Sequence, residues 1–141
     1  MMITRIFGTL LLCLALPAIA GESTITAITR SNAENYQDRA LAYCVATAYK
    51  GSPAGADAHI SMSAFLEWTD YDDKGNKAID QLVEKYLRRD YSNPMEGYAD
   101  AKFNLLKCID MYHSRELAEL VRKYVPNPKW IGDKPAKRKQ K

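Results

Sequence analysis

The residues able to do chemistry come in small groups, and each group lacks something that the chemistry needs. His59 lies near Asp57, Ser61 and Ser63, so a hydrolytic triad can be imagined, but nothing around the serines resembles the strained turn that exposes a nucleophile. The stretch from Asp70 through Asp72 to Gly75 begins like a calcium loop, which takes oxygen ligands at positions 1, 3 and 5, glycine at 6 and a closing glutamate at 12. Here position 5 is Lys74 and position 12 is Gln81, so a helix-linking turn is the better reading. The only other histidine, His113, has no second ligand at helical zinc spacing, and neither does His59. His113 precedes Ser114 at a helix end, where a cation complements the carbonyl end of the macrodipole. No catalytic residue, metal or cofactor is expected from these patterns.

Cysteine chemistry depends on what precedes it in the chain. Met1 to Ala20 has a short basic region with Arg5, an apolar run from Ile6 to Leu16, then Pro17 and small residues ending at Ala20. This pattern predicts a secretory signal peptide over residues 1–20, cleaved after Ala20. The run is too short for a bilayer span, and Leu12 before Cys13 is not the small residue that lipid modification requires. Cleavage leaves Cys44 and Cys108 in an oxidising compartment, where a single disulfide is the natural inference and two buried free thiols the alternative. The disulfide would leave no thiolate for a Cys-His enzyme.

The remaining chain is long enough for one domain, expected over 21–128. That body carries 13 Lys and Arg against 16 Asp and Glu, whereas 129–141 carries 6 against 1. A mildly acidic body with a basic, disordered tail is expected, and nucleic acid is not an expected partner of an exported protein. Binding of the tail to an anionic envelope surface is the functional alternative for it.

The elements that would position any site read as helices. Ser31 and Glu34 have capping-box spacing, and Tyr36, Ala40, Tyr43, Cys44 and Ala48 then recur at helical intervals as far as Gly51. Gly51 to Gly55 reads as a turn, followed by a helical segment from about Ala56 to Trp68 offering Met62, Phe65 and Leu66. Lys77 to Asp90 is the cleanest amphipathic run, with Ile79, Leu82, Val83, Tyr86 and Leu87 on one face. Asp80, Glu84, Lys85, Arg88 and Arg89 take the other. Pro94 and Gly97 make Tyr91 to Tyr98 a surface loop. From Phe103 to Val125 an αα-corner is predicted: Leu105, Leu106, Ile109 and Tyr112 share one side of a helix bearing Cys108, Ser114 caps the next, and that helix buries Leu117, Leu120, Val121 and Tyr124. Pro126 ends it. The expected fold is all-α, a small bundle of about five helices with its first helix stapled to its fourth.

What remains for function is surface. Nine tyrosines and two tryptophans exceed what so small a core needs, and Tyr91, Tyr98 and Trp130 fall in loops. The passage from Lys107 to Tyr124, KCIDMYHSRELAELVRKY, resembles the C-terminal signature of the type VI secretion amidase immunity proteins. The Tyr43-Cys44 pair, the passage LRRDYSNPMEGYADAKFNLLKC and the leader agree with it, and the likeness runs over about residues 33–125. It implies a periplasmic, typically dimeric protein without catalysis of its own, which binds and inhibits a peptidoglycan amidase similar to papain-like cysteine hydrolases. The basic extension from Lys129 departs from the pattern.

A cleft is blocked most economically by a rigid loop that offers no cleavable bond in register. Tyr91 to Tyr98 suits that role, with Ser92, Asn93, Met95 and Glu96 reaching into the partner and Tyr91 and Tyr98 flanking them. Asp80, Glu84, Arg88 and Arg89 would supply docking or dimer contacts. Two other classes stay open: a periplasmic adaptor binding a non-amidase partner, and a small enzyme using His59 or His113.

Overall fold

The chain folds as a bundle of five helices in a computed structural model that describes residues 24–91, 96–98 and 100–131. These are α1 (Asn32–Ala48), α2 (Pro53–Phe65), α3 (Asp73–Leu87), α4 (Asn104–Tyr112) and α5 (Arg115–Tyr124), with single 3-10 turns at Ala27–Thr29 and Leu66–Trp68. Among the described residues there is no strand, only an isolated bridge between Ser31 and Ile131. No helix among them is long and apolar enough to cross a membrane. The leader proposed for residues 1–20 and nearly all of the basic tail lie outside the described residues.

Capping chemistry sets most helix starts. The Ser31 hydroxyl accepts from the Glu34 amide while the Glu34 carboxylate accepts from the Ser31 amide, so the expected capping box closes at the start of α1. Ser52, Asp72 and Ser114 cap α2, α3 and α5 through side-chain oxygens. Two helix starts differ from the sequence expectation. Pro53 begins α2, because its fixed φ suits the first helical position, so the predicted turn ends at Ser52 and Gly55 is helical. The cap at Asp72 likewise starts α3 four residues before Lys77.

Helix α1 is the centre of the bundle. Tyr36, Ala40 and Cys44 from it meet Ile79, Leu82, Val83 and Tyr86 of α3, Cys108 and Met111 of α4, and Leu117 and Val121 of α5. Burial of each large side chain in this set contributes roughly 1.5–3 kcal/mol. A disulfide joins Cys44 to Cys108, with both residues fully buried and 64 positions apart, so α1 and α4 are stapled as expected. Leu120 and Tyr124 of α5 are only half-buried, whereas Leu117 and Val121 face the core.

The α4 face is the main correction. Leu105, Leu106 and Ile109 are 51%, 39% and 40% exposed, and the buried side is made of Lys107, Cys108 and Met111. The disulfide fixes Cys108 against α1, and Lys107 and Met111 beside it complete the buried face, which leaves the stripe centred on Leu106 and Ile109 turned outward. Leu66 too is exposed, at the end of α2.

Polar side chains fasten the ends of the bundle. The Asn32 amide group donates to the Asp70 carbonyl and accepts from the Asp70 amide, at 2.6 and 2.8 Å. The Trp130 and Pro128 carbonyls accept from the first amides of α1, so the chain after α5 satisfies donors that a helix start leaves free. Arg39 is buried beside the Tyr71 ring, 5.3 Å from its centroid, and its Nε has no hydrogen-bond partner among the described residues.

Candidate partner-binding surface

The connection between α3 and α4 leaves and rejoins the bundle at defined points. Lys107 is buried on α4, and its Nζ donates to the carbonyl of Leu87, the last residue of α3, at 3.2 Å. A cation there matches the carbonyl end of the helix. The same ammonium lies 5.6 Å from the centre of the Tyr91 ring. The Tyr91 hydroxyl donates to Asp110 Oδ2 at 2.5 Å, which holds its proton and raises its pKa above the usual phenol range. Tyr91 is thus held by two residues one turn apart on α4 and by Arg89 from its own side of the connection.

Arg89 also hydrogen-bonds Tyr91, and it reaches across to α5 as well. Its guanidinium carbon sits 3.4 Å from the Tyr86 ring centre, and its Nη2 reaches Glu116 Oε1 of α5 at 3.4 Å. Glu116 also accepts from Lys85 and the Tyr86 hydroxyl. The Lys85 contact, foremost, holds its carboxyl below the usual carboxylate range.

Of the loop residues singled out in the sequence, Tyr91 is half-buried, and Glu96 and Tyr98 are exposed. Ser92, Asn93 and Met95 lie outside the described residues. Gly97 adopts a φ of +87°, the left-handed conformation that glycine enters without a Cβ clash. The Tyr98 carbonyl then accepts from the Ala101 amide in a turn. Phe103 also has positive φ, 50°, immediately before α4, a strained position for a bulky residue that its surroundings must hold in place.

On α3, Asp80, Glu84 and Arg88 form one exposed row, with Arg88 and Glu84 paired at 3.1 Å. Arg89 is not in that row, since its side chain is engaged across the bundle with α5. The outward stripe Leu105, Leu106 and Ile109 borders an open groove of about 500 Å³ shared with Tyr49 and Phe103. Sequence periodicity identified the stripe as apolar but assigned it to the core.

The imagined triad is not assembled. Asp57 and Ser61 line a groove with Arg30 and Asp38, whereas His59 lines a different one with Tyr43 and Lys50. Ser63 donates to the backbone carbonyl of His59 at 3.1 Å. His113 caps the end of α4, with its ring edge-on to Tyr112. Among the described residues, no group of three or more His, Cys, Asp and Glu could hold a metal ion. Lys107, Asp110 and Glu116, which fix the ends of the α3–α4 connection, carried no sequence signal beyond being polar residues in helical segments.

Comparison with known proteins agrees with this all-helical arrangement. A solved chain from Serratia marcescens, from work on new type VI-secreted toxins and self-resistance proteins, superposes with a TM-score of 0.67 at 25% identity, covering 82% of this chain and 94% of that one. A solved chain of the effector–immunity system Tae4/Tai4 from Salmonella typhimurium superposes with a TM-score of 0.63 at 31% identity, covering 72% of this chain and 96% of that one. No curated protein matches by sequence. The family model Tai4, type VI secretion system amidase immunity protein, matches residues 34–121, from the capping box of α1 to the core-facing Val121 of α5. With well over half of its length matched, the chain belongs to the type VI secretion system amidase immunity protein family.

Proposed function

We propose that this protein is a non-catalytic periplasmic inhibitor, which binds a peptidoglycan amidase delivered by type VI secretion and stops it by occupying its cleft. The family match over residues 34–121 is the observation that carries the reading, since it spans the helices on both sides of the α3–α4 connection. Export would depend on residues 1–20, the inhibitory body would be 21–128, and the tail 129–141 would be accessory.

The blocking element in this reading is Tyr91 to Tyr98. Ser92, Asn93, Met95 and Glu96 enter the enzyme, and Tyr91 and Tyr98 border the contact. Aromatic residues beside a short polar segment are a common composition at the centre of an interface. Asp80, Glu84, Arg88 and the partly exposed Arg89 supply docking or contacts between two copies of a homodimer.

Co-expression tests the function. A type VI amidase from the same cell type is directed to the periplasm with and without this protein, and lysis is followed. Rescue that requires export, and that survives replacement of both His59 and His113 by alanine, supports a non-catalytic inhibitor. Lysis despite a stable exported protein would remove the amidase and favour an adaptor for another partner. Replacing residues 93–97 by a Gly-Ser linker should keep the fold and weaken inhibition at least about tenfold.

A further inference from the structure

Lys107 and Asp110 have no place in the reading above, and neither belongs to the stretch assigned to the enzyme. Yet both spend their polar groups on the segment by which the chain leaves α3, Lys107 on the Leu87 carbonyl and Asp110 on the Tyr91 hydroxyl. Lys107 is 7% exposed, which is rare for lysine unless its ammonium is engaged. Its ammonium is held between the Leu87 carbonyl and the Tyr91 ring. Asp110, three residues further along α4, takes the Tyr91 hydroxyl from the opposite end of the ring. A tyrosine fixed at both its ring and its hydroxyl has one position available rather than several rotamers, and the backbone that carries it is fixed with it.

The disulfide makes α4 a firm base for this grip. Cys108 lies between Lys107 and Asp110 and is joined to Cys44 of the central helix, so the pair cannot shift without moving the core. The groove beneath the grip, about 300 Å³, is lined by Leu87, Arg89, Tyr91, Asn104 and Lys107. Asn104 in turn donates to the Ala48 carbonyl at the end of α1, at 3.4 Å. The departure of the chain from α3 and its return into α4 are therefore tied to the same small cluster.

We infer that Lys107 and Asp110 are positioning residues for inhibition: acting through Tyr91, they set the direction in which the partner-facing connection leaves the bundle, without touching the partner. This inference rests on the loop-blocking reading of the preceding section. Its energetic meaning is preorganisation, because a connection whose departure point at Tyr91 is already fixed loses less freedom on association.

The test is a double-mutant cycle on the mature protein, using the amidase that the co-expression experiment identifies. Tyr91→Phe keeps the half-buried ring and removes only the hydroxyl with its Asp110 and Arg89 contacts, and Asp110→Ala removes an exposed acceptor, so each variant should keep a melting temperature close to the wild-type one. Each should weaken amidase binding about tenfold, and the double variant should be no weaker than either single one. Lys107→Met should weaken binding similarly, with Lys107→Arg restoring part of it. Amide exchange around Tyr91 and Gly97 in the free protein should quicken in the weakened variants. Additive losses for Tyr91→Phe and Asp110→Ala would mean that each contacts the enzyme independently, and a loss for Tyr91→Phe alone would mean that its hydroxyl is itself a partner contact; either result overturns the inference. The Gly-Ser replacement of residues 93–97 separates the two levels. If it leaves inhibition intact, the loop reading fails and the inference with it. If it abolishes inhibition while the three grip variants bind normally, only the inference fails.

Discussion

Gly55 packs its α-carbon against the backbone of Tyr49: a Cβ at Gly55 would stand 2.7 Å from the Tyr49 carbonyl carbon and closer still to its oxygen. This contact closes the corner between α1 and α2, with the Ser52 hydroxyl donating to the same Tyr49 carbonyl and accepting from the Gly55 amide. Helix propensity alone favours alanine over glycine by about 1 kcal/mol. Here the neighbour is backbone and cannot swing aside, so Gly55→Ala should instead destabilise the protein, by about 1–3 kcal/mol as for other overpacked sites. Urea unfolding of the two proteins decides the sign. A variant more stable than the parent would mean that the corner relaxes freely.

Removal of the Cys44–Cys108 bridge should also be felt by the whole bundle. In the chain-entropy view, a crosslink spanning 64 positions stabilises by on the order of 4 kcal/mol. Replacing both cysteines by serine should therefore lower stability by about 2–5 kcal/mol. Mass spectrometry of the parent purified without reductant, under denaturing, non-reducing conditions, should find no alkylatable thiol at either position. Modified cysteines would show that the bridge does not form.

Particular residues show why part of this was legible in the sequence. The capping box at Ser31 and Glu34, the stripe from Ile79 to Tyr86 and the turn at Ser114 are local patterns whose physics is complete within a few residues, and each appears in the fold. The bridge was legible from the cysteine count together with the expectation of export. What sequence could not supply was direction. On α4, Leu105, Leu106 and Ile109 have the period of a buried face, but a neighbouring residue, Cys108, is tied across the bundle and decides which side faces in. Lys107 and Asp110 were illegible for a related reason, since their partners Leu87 and Tyr91 come from across the chain connection. The side-chain pairing of Asn32 with the backbone of Asp70, 38 positions away, had no local signal either.

The orientation of α4 gives a mutational contrast. Met111 is fully buried, whereas Leu105 is 51% exposed. Met111→Ala should destabilise by about 2–5 kcal/mol through lost burial and the cavity left behind. Leu105→Ser should change stability by no more than about 0.5 kcal/mol, the range of ordinary surface substitutions. Thermal or urea unfolding at low protein concentration, where association contributes least, is the measurement. The opposite ranking would restore the orientation that periodicity alone suggests.

Glu116 makes the acid side of the stability curve predictable. Its carboxylate accepts from Lys85, the Tyr86 hydroxyl and Arg89, and the Lys85 contact chiefly lowers its pKa in the folded protein. A folded-state pKa below the unfolded one means that the native state binds the proton more weakly. The stabilisation is then present above the unfolded carboxylate value, about 4.3, and is lost as pH falls from there through the folded value. Because the side chain remains 38% exposed, solvent screening limits its worth to under about 1 kcal/mol. Glu34, held below its usual range by the Ser31 hydroxyl, adds a change of the same sign. Glu116→Gln should therefore lower stability at neutral pH and flatten, without abolishing, its decline between about pH 5 and pH 3. Melting temperatures across that interval test this directly: parallel curves for parent and variant would mean that the Lys85 and Arg89 contacts do not distinguish the charged from the neutral carboxyl, and that α5 is held to the end of α3 by packing alone.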